Sequence, residues 1–113
     1  MTIQRVQPGP RMSQAVVHGD IAYLAGQVAE GDSVEAQSRA ALAQVDELLA
    51  AVGSDKSKLL SVTIYLADIT TFTQMNSVWD TWVDGANPPA RATVEAKLAT
   101  PDYFVEFAII AAI

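Results

Sequence analysis

Apolar and polar residues alternate along two stretches of this chain with the period of two that is typical of β-strands. One stretch covers residues 61–66 and is rich in β-branched and aromatic side chains. In the other, Ala92, Val94, Ala96 and Leu98 alternate with Arg91, Thr93, Glu95 and Lys97, which predicts a half-buried strand. Two short apolar runs, 14–17 and 21–25, flank His18-Gly19-Asp20 and predict a hairpin. Residues 103–113 are apolar at nearly every position, so we expect a strand hidden from solvent on both faces.

Two other segments repeat apolar residues at helical spacing. The first has Val34, Ala41, Val45, Leu48, Leu49 and Val52 on one face. Asp32 or Ser33 caps its start, with Glu35 completing a capping box for Asp32, and Gly53 ends it. The second has Phe72, Met75, Val78, Trp79, Trp82 and Val83 on one face, after a capping box of Thr71 and Gln74. Trp79 and Trp82 share this stripe, which favours core anchors over a stacking platform.

The order of elements is hairpin, helix, strand, helix, strand, strand, which predicts one α+β domain over residues 1–113. We expect a two-layer sandwich in which both helices cover the same face of a mixed sheet. The strands carry apolar residues towards the other face as well. Leaving that face exposed to water would forfeit on the order of 10 kcal/mol of stabilisation, at ~25 cal/mol per Å² of apolar surface. We therefore expect a homo-oligomer.

Composition excludes several classes of function. Thirteen acidic against seven basic residues give a net charge of −6, which makes nucleic acid an unfavourable partner. The chain has one histidine and no cysteine, so we predict no metal site and no cofactor. His18, at a turn, is a solvated residue rather than a base. No apolar run reaches the roughly 20 residues of a membrane span, and no signal peptide is evident, so we expect a cytoplasmic protein without a membrane partner.

Arg91 is the main candidate for binding chemistry. Pro88 and Pro89 restrict the loop before it, and the predicted strand begins there, so its backbone is held rigidly. A planar guanidinium with five donors on a rigid mount suits the carboxylate or phosphate of a small molecule. The alternative is an arginine that is solvated or paired with a surface acid.

Five short segments together resemble the reactive intermediate deaminase (Rid/YjgF) family. They are Ser13-Gln14-Ala15-Val16, Tyr23-Leu24-Ala25-Gly26-Gln27-Val28, Asn76-Ser77-Val78-Trp79, Pro89-Ala90-Arg91-Ala92-Thr93-Val94 and Val105-Glu106. The resemblance covers nearly the whole chain. It implies a chorismate-mutase-like fold, a homotrimer with three clefts between subunits, and hydrolysis of 2-imino acids to 2-oxo acids and ammonia.

The same resemblance suggests roles for individual residues. Arg91 corresponds to the arginine that holds the substrate carboxylate, and Glu106 to the first of two acids in the last strand. Substrate-binding positions would be Met12, Ala25, Gly26, Gln27, Asn76 and Thr93. Met12 replaces an aromatic residue of many members, which suggests a different pocket wall.

Ala108 stands where the second acid, usually assigned to positioning water, is found in the best-studied subgroup. A water held by Glu106 or by backbone carbonyls is then the nucleophile. The alternative function is a sensor or regulator that binds a small carboxylate without turnover. A ribonuclease or translation inhibitor fits the acidic charge poorly.

Overall fold

The computed structural model describes residues 2–113 as a six-stranded mixed sheet with two helices on one face. The strands are β1 (Ile3–Pro8), β2 (Ser13–His18), β3 (Ile21–Leu24), β4 (Leu59–Leu66), β5 (Ala90–Glu95) and β6 (Val105–Ala112), and the helices are α1 (Val34–Ala51) and α2 (Phe72–Trp82). Single 3₁₀ turns, Lys56–Lys58 and Ile69–Thr71, precede β4 and α2. The sheet order is β1-β2-β3-β6-β4-β5, in which only β4 and β5 are parallel. The predicted α+β sandwich is confirmed. Within residues 2–113 no helix has the length and apolarity that a membrane crossing requires.

Strand β1 is an element that the apolar pattern did not predict. It pairs antiparallel with β2 at the edge of the sheet, with Val6 opposite Ala15. Val6 is its only partly buried residue, and the others are exposed. The strand therefore forms by backbone pairing with β2, which leaves no alternation of apolar residues in the sequence to reveal it.

The helices cover the face of the sheet that carries the core. Val62 and Ile64 of β4 lie opposite Ile109 and Phe107 of β6, and all four are buried. Trp79 of α2 stacks on Phe107, with ring centroids 6.4 Å apart and planes 5° from parallel. Trp79 is thus a core anchor, as predicted.

Trp82 lies at the margin of the core rather than inside it. It is partly buried, its Nε1–H donates to Asp46 Oδ2 at 3.0 Å, and Lys56 Nζ lies 5.4 Å from its ring centroid. The indole therefore joins the outer edges of the two helices, because its polar nitrogen needs a partner that the core does not supply.

Strand β5 has the predicted period, but only Thr93 is partly buried and the other residues of the strand are exposed. Arg91 and Thr93 lie opposite Val62 and Ile64 in the parallel ladder, so these polar residues share the helix-covered face. Ala92 and Val94, expected to be buried, are exposed on the other face. The half-buried interpretation of this strand was wrong for the single chain, because period-2 alternation does not indicate which face the helices cover.

The other face of the sheet is open, and much of it is apolar. Glu106, Ala108, Ile110 and Ala112 of β6 are half-buried there, while the residues between them are fully buried under the helices. Exposed Tyr23 lies opposite Ile110 on this face. The prediction that solvent reaches neither face of the last strand therefore holds for only one face of the single chain.

The helix starts differ in part from the predicted caps. Ser33, one of the two candidates, caps α1 by accepting a hydrogen bond from the Ala36 N–H at 3.0 Å. Gly53 ends it with φ +80°, as expected of a left-handed glycine. The predicted capping box at Thr71 is wrong, because the Thr71 hydroxyl donates to the Asp68 carbonyl at 2.6 Å.

Asp68 instead caps the 3₁₀ turn before α2. Its carboxylate accepts hydrogen bonds from the Thr70 hydroxyl at 2.7 Å and the Thr70 N–H at 2.9 Å. These bonds favour the ionised form, so the pKa of Asp68 is lowered, mainly by the hydroxyl. The entry to α2 is therefore a well-defined turn.

Gln37 of α1 is a fully buried polar residue that ties the helix to two loops. Its Nε2 donates to the carbonyls of Gly31 at 3.0 Å and Asp102 at 2.8 Å, and its Oε1 accepts from the Phe104 N–H at 2.7 Å. Backbone groups thus supply the hydrogen-bond partners that the buried amide of Gln37 requires.

We predict that Gln37→Ala lowers the free energy of unfolding by about 2–4 kcal/mol, because it leaves buried backbone groups unpaired and opens a cavity. Urea denaturation measures this loss. The matched control is Gln44→Ala on the same helix, where the glutamine is partly exposed and a change within about 0.5 kcal/mol is expected. Equal losses in the two variants would contradict a tying role for Gln37.

Candidate functional site

Arg91 projects from the start of β5 towards the first turns of α2. Its Nη1 donates a hydrogen bond to Asn76 Oδ1 at 2.8 Å. The guanidinium carbon lies 5.4 Å from the ring centroid of Trp79 and 5.7 Å from that of Phe72. Three side chains of one helix thus hold the guanidinium, two through their aromatic rings and one through an amide oxygen.

The held guanidinium keeps most of its donors available. Arg91 is exposed, and among residues 2–113 its only side-chain hydrogen bond is the one to Asn76. Of five N–H donors, one is used, so a pair of parallel donors remains for a carboxylate. The alternative of an arginine paired with a surface acid does not apply to the described chain.

Thr93 adds an unsatisfied polar group on the same face of β5. Its hydroxyl oxygen is buried and has no hydrogen-bond partner within the described part of the chain. Leaving such a group unpaired costs about 1–3 kcal/mol. Thr93 and Arg91 line an open cleft of about 480 Å³ with Ile69 and Phe72, here called the arginine cleft.

Gly26 and Glu106 form a second group of candidate residues. A Cβ atom on Gly26 would lie only 2.8 Å from the Glu106 carboxyl carbon and 3.1 Å from its Cγ. A larger residue here would displace the Glu106 side chain from its position beside the Gly26 Cα. The resemblance assigns Gly26 to substrate binding, and in the structure the Glu106 carboxylate of the last strand lies beside it.

The neighbours of Gly26 are occupied by hydrogen bonds within the chain. Gln27 exchanges two backbone hydrogen bonds with Phe107, and its side-chain amide donates to Gln14 Oε1 and the Ala25 carbonyl. The Ala25 N–H donates to the Gln14 carbonyl. Among residues 2–113, the backbone N–H of Gly26 has no partner. Gly26 is thus the member of this segment that can offer a donor to a ligand.

Met12 lies in the turn between β1 and β2 and is 50% exposed. Its carbonyl accepts a hydrogen bond from the Gly9 N–H, which fixes the turn. Because Ser13 begins β2 and Gln14 pairs with Ala25, Met12 belongs to the end of the sheet where Gly26 lies.

The candidate residues therefore fall into two groups on opposite faces of the sheet. Arg91, Asn76 and Thr93 are brought together on the helix-covered face. Glu106 lies opposite Tyr65 on the open face, because adjacent residues of β4 point to opposite sides and Val62 is the partner of Arg91. One chain does not unite Arg91 with Glu106.

Comparison with known proteins decides the family. A family profile described as Endoribonuclease L-PSP matches residues 2–113. A RutC family protein of Haemophilus influenzae is 48% identical, with 98% of each chain covered, and the RutC family protein YoaB of Escherichia coli is 42% identical over the whole of both chains. The chain belongs to the Rid/YjgF family. The crystal structure of a YjgF family member from Neisseria meningitidis agrees, with a TM-score of 0.98, 43% identity, and coverage of 99% of this chain and 95% of that one.

Three residues of the candidate site were not assigned to it from the sequence. Phe72 and Trp79 were placed in the apolar stripe of α2, and Asn76 was assigned from the family resemblance. Asn76 and Trp79 follow Phe72 by four and seven residues, so the three side chains lie on one helical face. This spacing is the sequence signal that could have revealed the cluster. Ile69 precedes the helix, and no periodic pattern marks it.

We predict that Asn76→Asp weakens the binding of a small carboxylate by about 10-fold or more. The new carboxylate would form a charge-assisted pair with Arg91 and compete with the ligand. Calorimetry with 2-oxopropanoate measures the affinity. Ser77→Asp adds the same charge on the same helix at an exposed position and serves as the control. Equal affinities of Asn76→Asp and Ser77→Asp would mean that the anion does not bind at the guanidinium.

Proposed function

We propose that this protein hydrolyses 2-imino acids to 2-oxo acids and ammonia, with Arg91 holding the substrate carboxylate. The observation that supports this best is the guanidinium held between Phe72 and Trp79, with a free donor pair beside the unpaired Thr93 hydroxyl. This arrangement suits a small planar anion that carries a polar atom next to the carboxylate. A 2-imino acid has both features, because its imine nitrogen is one carbon from the carboxylate.

The reaction requires little besides orientation. The protonated imine is electrophilic at C2, and a water oxygen adds there while the C=N π electrons move to nitrogen. A proton then passes from the added oxygen to the nitrogen, the C–N bond breaks to release ammonia, and the remaining hydroxyl proton is released as the 2-oxo group forms. Water is the only other reactant. Fixing the carboxylate and C2 relative to that water supplies much of the rate in such a reaction.

A second subunit completes the site in this proposal. Arg91 and Glu106 lie on opposite faces of one chain, so a carboxylate bound by Arg91 cannot reach Glu106 of the same chain. The apolar open face favours self-association, and the family resemblance suggests a trimer with clefts between subunits. Glu106 of the partner subunit then faces the substrate and holds the attacking water. The unpartnered N–H of Gly26 lies beside Glu106 and can donate to the same water or to the substrate.

A sensor that binds a small carboxylate without turnover is the second candidate. Ala108 lies on the same face of β6 as Glu106 and supplies no carboxyl group, so one acid has to serve the whole reaction. Relatives include proteins described as a putative endoribonuclease and a putative translation initiation inhibitor. The net charge of −6 does not favour RNA binding by this chain.

We predict that Arg91→Ala lowers kcat/KM for 2-imino acids by about 30- to 1,000-fold, equivalent to roughly 2–4 kcal/mol of lost transition-state binding. Arg91→Lys should recover little, because a point charge cannot replace the planar fork. Imines generated in situ by an amino-acid oxidase provide the assay. Arg39→Ala, at an exposed position of α1, is the matched control and should retain activity. A folded Arg91→Ala protein with wild-type turnover would exclude this mechanism.

We predict that mixing Arg91→Ala with Glu106→Gln restores part of the activity, although each variant alone is strongly impaired. In a random equimolar trimer with composite sites, about one site in four combines Arg91 of one subunit with Glu106 of its neighbour. The test refolds the two variants together from urea and compares their imine hydrolysis with each variant refolded alone. Light scattering should give three times the chain mass of 12.0 kDa.

Two outcomes would contradict the composite site. A mixture as inactive as its components would mean that Arg91 and Glu106 do not meet in a shared site, and a monomeric mass would remove the shared cleft. Full activity of Glu106→Gln alone would instead show that Glu106 does not position the water.

A further inference from the structure

We infer that the arginine cleft selects 2-imino acids with an apolar side chain extending beyond Cβ, and that Ile69 sets this preference. The inference rests on the proposed function and adds the substrate class. It depends on the two apolar side chains that line the cleft beside Arg91 and Thr93, which are those of Ile69 and Phe72.

Ile69 and Phe72 are exposed, unlike the residues that continue their apolar stripe along α2. Their exposed fractions are 42% and 40%, against 0% for Met75 and 4% for Val78. Phe72 is held against the guanidinium by its ring, and Ile69 stands beside it at the mouth of the cleft. Two large apolar side chains thus remain exposed to water within reach of the anion-binding group. A ligand that buries them is stabilised by the apolar surface removed from water.

The geometry of a 2-imino acid assigns its side chain to this apolar wall. With the carboxylate on Arg91, the imine nitrogen and the first side-chain carbon diverge from C2. The polar side chains lining the cleft are those of Arg91 and Thr93, so the imine nitrogen lies on their side. The other branch then lies along Ile69 and Phe72. A hydroxyl on that branch would lose water without gaining a partner, which disfavours serine-derived imines.

Glu95 is the positioning residue for this wall. Its Oε1 accepts a hydrogen bond from the Ile69 N–H at 3.1 Å. Arg91, Thr93 and Glu95 occupy alternate positions of β5 and therefore the same face. One strand thus carries the anion-binding group and fixes the backbone of the residue that contacts the substrate side chain. The spacing between anchor and wall is set by the strand rather than by a mobile loop.

The experiment compares kcat/KM for imines derived from alanine, serine and leucine, generated in situ by an amino-acid oxidase. The wild-type protein should prefer the leucine-derived imine over the alanine-derived one by about 10-fold or more. Ile69→Ala should reduce this ratio by about 10-fold, mainly through the leucine-derived imine. The matched control is Ile113→Ala, which removes the same atoms from a residue of 40% exposure outside the cleft and should leave the ratio unchanged.

Glu95 is tested through the same ratio. Glu95→Ala should lower the preference for the leucine-derived imine, whereas Glu95→Gln keeps an acceptor oxygen and should restore it. A merely structural role would lower the rates for all substrates together and leave the ratio unchanged.

Parallel calorimetry with 2-oxopropanoate and 4-methyl-2-oxopentanoate separates this inference from the proposed function. If no imine is hydrolysed but Ile69→Ala selectively weakens the branched 2-oxo acid, the hydrolase proposal fails and the apolar wall stands. If imines are hydrolysed without preference, or Ile69→Ala affects all ligands equally, the proposed role of Ile69 in selectivity is overturned. A change of molecular mass in Ile69→Ala would assign Ile69 to a subunit contact instead, and would also overturn it.

Discussion

A β-strand presents successive side chains to opposite faces of its sheet, and in this protein helices cover only one of those faces. The buried positions of β4 and β6 form the core with α1 and α2, while their alternate positions form the open face. The same rule separates the candidate chemistry. Arg91 and Thr93 follow the covered face and Glu106 follows the open one, so the division of the site results from register rather than from any special loop.

The arginine cleft depends on how α2 lies over the edge strand β5. The indole of Trp79 contacts Phe107 in the core and also lies near the guanidinium of Arg91. Its position is therefore set by core packing, which in turn fixes one wall of the site. Asn76, on the same side of the helix, limits the rotation of the guanidinium. A binding group built in this way on regular elements is more rigid than one carried by a loop.

Much of the fold could be predicted because α1, α2 and β4 each bury one face, and burial leaves a periodic pattern in the sequence. Strand β1 could not, because pairing with β2 holds it and its side chains remain mostly exposed. The apolar positions of β5 lie on the open face rather than the covered one, since alternation defines two faces without identifying the covered one. Of the candidate site residues, Arg91 was proposed from a rigid loop and Asn76 from family resemblance. The contact between Gly26 and Glu106 joins residues far apart in sequence, and no local pattern indicates it.

The unpaired charge of Arg91 has a consequence for how ligands arrive. The chain as a whole carries a net charge of −6, so a small anion is repelled at long range and attracted only near the guanidinium. Long-range repulsion between exposed charges is screened beyond about 8 Å at physiological ionic strength, whereas a close pair of hydrogen bonds is screened much less. Added salt therefore weakens the long-range repulsion of the anion more than its short-range attraction to the guanidinium. The encounter of a small anion with this cleft is accordingly favoured in the salt of a cell over dilute buffer.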